Sequence, residues 1–173
     1  MGIWRYDRWR LPLLPVLLLA TTLFATVQVQ ATTAVPGEPA PDFALKDATG
    51  KNVRLSEWRG EVVMLNFWAD WCGRCSEQLQ ELDRLQKQYA ANGVRVVAIN
   101  IDKDAQPTTE ASRRLNLMVL HDRERSVARQ YDLSDLPLTV LIDAHGNVRF
   151  VHEKYRDRDV ALYDEELTKL IRE

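Results

Sequence analysis

The chain has 173 residues, 46% hydrophobic and 28% charged, with 23 basic side chains against 25 acidic ones. That length suits one domain of ordinary size, and the composition is globular, which excludes a disordered chain. The basic residues form no long run, which argues against a nucleic-acid binder, and two cysteines are too few for a disulfide-stapled scaffold or a four-cysteine metal centre.

The first ten residues carry Arg5, Arg8 and Arg10, and an uncharged apolar stretch runs from Leu11 to Val29 ahead of Gln30-Ala31. A basic segment, an apolar segment and a small residue before a cut are the parts of a secretory signal, with cleavage expected after Ala31. Removing residues 1–31 takes away three arginines and Asp7, leaving 20 basic against 24 acidic residues and a net charge of −4. An uncleaved N-terminal membrane anchor is the alternative, weakened by Pro12 and Pro15 early in the stretch. Both readings place the rest of the protein outside the cytoplasm, where disulfides form and persist.

Residues 32–41 hold Pro36, Pro39 and Pro41 and are expected to form an extended linker or arm, with the domain proper over 42–173. Phe43–Leu45 and Asn52–Leu55 flank Asp47-Ala-Thr-Gly50 and predict a β-hairpin, after which Trp58 turns toward the core. Val62–Trp68 is an apolar run suited to a strand covered on both faces. From Cys75 to Ala91, Leu79, Leu82, Leu85 and Tyr89 recur at helical spacing, and Gly93 supplies the stop. A second buried strand, Val94–Ile101, completes a βαβ unit. A short helix is predicted over Thr109–Leu115, a strand over Leu117–Leu120 and a helical turn or two over Ser126–Tyr131. Leu138–Ile142 and Val148–Val151 read as strands joined by the tight turn Ala144–Asn147. The last helix runs from about Arg158 to Arg172, with Leu162, Leu167, Leu170 and Ile171 as its expected buried side. The fold class is α/β: a mixed central sheet with helices on both faces, extended by an N-terminal hairpin.

The cysteines stand in Trp71-Cys72-Gly73-Arg74-Cys75, directly between the first buried strand and the long helix. That setting is the one a redox C-x-x-C needs, because a thiol at a helix N-terminus gains from free N–H groups and the positive end of the dipole. Cys72 is expected there as the outer, attacking sulfur, with Cys75 further in as the resolving one. A purely structural disulfide over so short a loop would contribute only about 2 kcal/mol. A metal site would need further ligands, and His121, His145 and His152 are the only histidines, without companion cysteines.

The segment Leu65-Asn-Phe-Trp-Ala-Asp-Trp-Cys-Gly-Arg-Cys75, with Leu136-Pro137 ahead of a late strand, resembles the thioredoxin superfamily. The proline-rich start, Pro41-Asp-Phe43 and the hairpin before the cysteine strand resemble more narrowly the extracytoplasmic TlpA-like or ResA-like thiol–disulfide oxidoreductases, over roughly residues 36–173. The resemblance implies a cis bond before Pro137, beside the cysteines, and a substrate strand pairing with the free backbone there. It makes Trp71, Gly73 and Leu136 the surroundings met by a partner protein. Four positions depart from the family. Arg74 stands where many relatives have proline, and its charge would favour a Cys72 thiolate, a tuning effect of about 20 mV for about 1 kcal/mol. Asn66 and Gln78 stand where thioredoxin has a buried aspartate and some ResA-like relatives a glutamate; neither amide can titrate. Gln80 replaces a helix-kinking proline.

The expected function is thiol–disulfide exchange with protein substrates, as a periplasmic reductase of general scope or in cytochrome c maturation, with no cofactor and no metal. Its partners would be protein thiols and disulfides and a membrane or periplasmic redox protein, not nucleic acid. The rivals are a non-catalytic binding module using the Trp71 and Leu136 surface, and a thiol peroxidase of related fold, which would want a Pro-x-x-x-Thr-x-x-Cys setting absent from this chain.

Overall fold

The computed structural model describes residues 1–2, 34–104 and 115–173. From residue 34 onwards these belong to one compact unit, Ala31–Glu173, separate from Met1–Gln30. The leader expected over 1–31 and the helix expected over 109–115 lie outside the described residues, apart from Met1, Gly2 and Leu115.

Seven described strands make one mixed sheet. β1 (Ala44–Asp47) and β2 (Asn52–Arg54) form the N-terminal hairpin. Its turn is built by the Asp47 carboxylate, which accepts from the N–H groups of Thr49 at 2.8 Å and Lys51 at 3.0 Å, while Gly50 adopts φ +87°. β3 (Val62–Trp68) runs parallel to β4 (Val94–Asn100), which in turn pairs in parallel with β5 (Met118–His121). On its other side β3 pairs antiparallel with β6 (Leu138–Ile142), and β6 with β7 (Val148–Glu153). The spatial order is β2-β1-β5-β4-β3-β6-β7, so the hairpin extends the sheet at its β5 edge.

Every residue of β3 is buried because both faces of the sheet are covered. The side chains of Val63, Leu65 and Phe67 join Phe43, Leu55, Trp58, Ile99 and Tyr131 on one face, beneath α2 (Ser126–Gln130). Those of Val62, Met64 and Trp68 meet α1 (Cys75–Tyr89) through Leu79, Leu82 and Leu85, and α3 (Asp159–Arg172) through Tyr163, Leu167 and Leu170. This is the period-two division of a central strand. α1 gives way to a short 3-10 turn, Ala90–Asn92, which Gly93 ends with φ +77°.

One expectation is corrected. α3 buries Tyr163, Glu166, Leu167 and Leu170, while Leu162 is exposed and Ile171 only half-buried. The helical stripe passes through 163, 167 and 170, and Leu162 lies about 100° off it. The proline-rich segment ahead of the hairpin takes the arm form of the two expected, docked on the sheet rather than free. The Gly37 N–H donates to Val148 C=O at 2.8 Å, Val148 N–H to Glu38 C=O at 2.9 Å and Ala40 N–H to Gly146 C=O at 2.9 Å, strapping it to the β6–β7 turn. The buried Tyr131 hydroxyl adds a 2.8 Å bond to Pro41 C=O. Burial, with the Asp42 carboxylate nearby, holds that phenol well above its ordinary pKa, so it stays a donor.

Candidate active site

β3 delivers the chain to the cysteine turn, and Trp68 C=O is held at the end of the strand by Ile101 N–H at 3.0 Å. The turn then closes on itself: Cys72 N–H donates to Ala69 C=O at 3.1 Å and Cys75 N–H to Cys72 C=O at 3.2 Å. α1 therefore opens at Cys75, and Cys72 occupies the lead-in turn rather than the first helical position. The two sulfurs are bonded at 2.04 Å, with Cα atoms 5.4 Å apart. Cys75 is fully buried, Cys72 half-buried, and Gly73 and Arg74 are exposed. Trp71 is 65% exposed, an unusual position for so large an apolar ring. An inner and an outer sulfur are thus distinguished by access alone.

The second wall comes from a distant part of the chain. Leu136–Pro137 is a cis peptide bond, immediately before β6. Pro137 is buried, while Leu136 is half-buried and packs, like Cys72, against the core cluster that contains Cys75. The proline carbonyl accepts from Lys154 N–H at 2.8 Å, and Lys154 Nζ lies 3.2 Å from the Asp135 carboxylate. Leu136 N–H donates to Asp135 Oδ1 at 2.9 Å.

Charges ring the cysteine turn. The Arg74 guanidinium lies 3.3 Å from Glu77, donates to Asp157 and sits 5.5 Å over the Tyr155 ring. Hydrogen bonding to Asp157 and the nearby carboxylates raise its pKa further. Its cation is already matched by two carboxylates, which reduces the field it can exert on Cys72. Burial and the Asp102 carboxylate raise the pKa of Asp70, whose N–H donates to Asp102 at 2.7 Å.

One helical turn beyond Cys75 lies a buried polar cluster. Asn66 Nδ2 donates to Gln78 Oε1 at 2.7 Å and Thr139 Oγ1 at 3.0 Å; Gln78 Nε2 donates to Thr139 at 3.0 Å and to the Tyr163 hydroxyl at 3.1 Å. All four side chains are inaccessible to solvent. Burial pushes the Tyr163 hydroxyl up to about 12. Among the described residues, the buried Asn66 Oδ1 and Trp68 Nε1 have no hydrogen-bond partner. A second pair, His152 Nε2 and Glu166 Oε2 at 2.7 Å, lies beside Tyr163, whose ring meets the imidazole edge-on at 5.3 Å. Among the described residues no cluster of three or more His, Cys, Asp or Glu is placed to hold a metal ion.

The expected residues 71–75 and 136–137 all converge on this region. Sequence reading missed Thr139, Tyr155, Asp157 and Tyr163, which reach it from β6, the β7–α3 connection and α3. A tyrosine or aspartate 80 or more residues from the cysteines carries no local mark of such a role.

The AhpC/TSA family model matches residues 36–151. The thiol–disulfide oxidoreductase ResA of Bacillus subtilis is 35% identical over 132 residues, 75% of this chain and 74% of its own length. ResA of Geobacillus kaustophilus is 34% identical over 144 residues, 81% of this chain and 83% of its own. A crystal structure assigned as the thiol:disulfide interchange protein DsbE of Chlorobium tepidum has a TM-score of 0.75 and 32% identity, covering 80% of this chain and 99% of that one. The exposed lipoprotein thioredoxin of Streptococcus pneumoniae has a TM-score of 0.61 and 29% identity, covering 75% and 100%.

Proposed function

The chain belongs to the thioredoxin-like AhpC/TSA family and is a thiol–disulfide oxidoreductase, and from that premise we propose an extracytoplasmic reductase of protein disulfides acting through Cys72. One observation carries the reading: the half-buried Cys72 is bonded to the fully buried Cys75 beside an exposed Trp71. Access selects Cys72 as the nucleophile and leaves Cys75 to resolve.

In the reducing direction, the Cys72 thiolate attacks one sulfur of a substrate disulfide. A mixed disulfide forms and the other substrate sulfur leaves as a thiolate. The Cys75 thiol then gives up its proton and attacks the Cys72 sulfur. The Cys72–Cys75 disulfide forms, the second substrate thiolate departs, and two electrons have passed to the substrate. A redox partner with a dithiol restores the enzyme by the same steps in reverse. Trp71, Gly73, Leu136 and Pro137 line the approach and would hold an extended substrate segment, while Arg74 tunes the attacking thiol. The leader over residues 1–31 would export the chain to the periplasm, as a cleaved signal or a retained anchor. General disulfide reduction and cytochrome c maturation both fit this chemistry.

The expected outcome is that the reduced protein cleaves the disulfides of a small oxidised polypeptide such as insulin. Cys72→Ser should lose all of that activity, and Cys75→Ser should accumulate a substrate joined at Cys72, visible as a mass adduct. A Cys72→Ser protein with undiminished function would make this a binding module instead.

A further inference from the structure

The connection between β7 and α3 touches both halves of the site. At one end Lys154, at φ +67°, gives its N–H to the Pro137 carbonyl and its ammonium to Asp135. The next residue, the buried Tyr155, forms the platform on which the Arg74 guanidinium lies, and two residues further Asp157 takes a hydrogen bond from Nη2. Glu77 holds the other side of the same guanidinium from within α1.

One cation between two carboxylates leaves this cluster with a net charge of −1, so the arginine does not present the turn with a free positive charge. We propose that Asp157 is a positioning residue for the thiol chemistry: by fixing and neutralising Arg74 over Tyr155, it keeps the Cys72 thiol less acidic than an unpaired arginine would make it. The inference rests on the oxidoreductase reading above and deepens it, because it names the group that sets how strongly Arg74 acts on Cys72. Asp157 is 82% exposed and Arg74 50%, so replacing either removes little packing and leaves the fold in place. Other charged or titratable groups near the turn are Glu81 on α1, whose charge reaches Tyr155, Asp70 and Asp102 on the β4 side, and Asp135 and Lys154 on the Pro137 side. None of them bonds to the Arg74 guanidinium.

The test is the rate at which iodoacetamide alkylates Cys72 in the fully reduced protein, followed by peptide mass as a function of pH. Asp157→Asn should lower the midpoint of that profile by about half a pH unit, equivalent to about threefold faster alkylation below the midpoint. Asp157→Glu, which keeps the charge, should remain near the wild-type midpoint. In an Arg74→Gln background, Asp157→Asn should shift the midpoint much less. An unmoved midpoint in Asp157→Asn, a full shift in Asp157→Glu, or equal shifts with and without Arg74 would each overturn the proposal. Disulfide reduction by the wild-type protein is measured alongside. An inactive wild type sinks the oxidoreductase reading, whereas an active one with an insensitive midpoint sinks only the role of Asp157.

Discussion

Gln78 sits where a titratable acid would be the simplest proton carrier, and its hydrogen bonds explain what an amide does there instead. It accepts from Asn66 and donates to both Thr139 and Tyr163, so one side chain ties β3, β6 and α3 together behind Cys75. A carboxylate in its place has no donor for Thr139 or Tyr163, and burial would raise its pKa. We expect Gln78→Glu to lose about 1–3 kcal/mol at neutral pH from the donors it lacks and the buried charge it gains. The sign of the pH dependence follows from linkage. A buried carboxyl whose folded pKa exceeds its unfolded one binds more protons in the native state, so stability falls as pH rises through that interval. Urea denaturation of Gln78→Glu should show the loss shrinking on acidification, as the protonated acid regains one donor. A loss that is the same at neutral and acidic pH would show that ionisation is not its cause. No sequence pattern announced this cluster: Asn66 and Gln78 stood out only against relatives, and Tyr163 lies 85 residues from Gln78.

The β6–β7 hairpin shows the opposite titration at the scale of an element. Asp143 Oδ1 accepts from His145 N–H at 3.0 Å and Asn147 N–H at 2.9 Å, and Oδ2 lies 3.3 Å from Arg149. Burial alone would raise its pKa, but the Asn147, Arg149 and His145 donors outweigh it and hold Asp143 below the usual carboxylate range. Its stabilisation is therefore complete above the ordinary aspartate pKa and is lost as pH falls through the depressed folded value. Asp143→Ala should cost about 1–3 kcal/mol at neutral pH and progressively less in acid, read from the same urea midpoints. A constant cost across that range would mean that the carboxylate charge contributes nothing. The turn itself was legible in Ala144-His-Gly-Asn147, since Gly146 takes φ +88°, a conformation glycine tolerates without strain. β3 was legible for another reason: a strand buried on both faces is apolar almost throughout, and its limits, Val62 and Trp68, coincide with the apolar run. The buried side of α3 was not, because its largest buried residue is Tyr163, whose burial depends on partners elsewhere in the fold.

At the scale of the molecule, the site exists because β3 and β6 are antiparallel neighbours. The register Phe67 opposite Leu138 sets the end of β3, where the cysteine turn begins, beside the start of β6, where Pro137 lies. Motif reading supplied both halves of the candidate site, but only the pairing explains why residues 65 positions apart in the chain meet at one end of the sheet. The same end-to-end logic applies to the N-terminal strap, whose prolines signalled an extended chain but not its docking. A strap needs a receiving edge, and the residues that receive it, Gly146 and Val148, come more than 100 positions later. Removing it would strip three backbone hydrogen bonds from the β6–β7 turn and leave the buried Tyr131 hydroxyl without Pro41. Each such bond contributes about 0.5–1.5 kcal/mol, and an unpaired buried hydroxyl costs more than a missing one. A chain starting at Thr32, the expected product of cleavage, keeps the strap; one starting at Asp42 does not. We expect the shorter chain to be less stable by about 2–4 kcal/mol in urea, summed over those bonds. Tyr131→Phe should recover part of that loss in the shorter chain while costing stability in the longer one. Equal stability of the two chains would mean that the segment before the hairpin is an appendage, and that β6 and β7 hold the proline wall of the site without it.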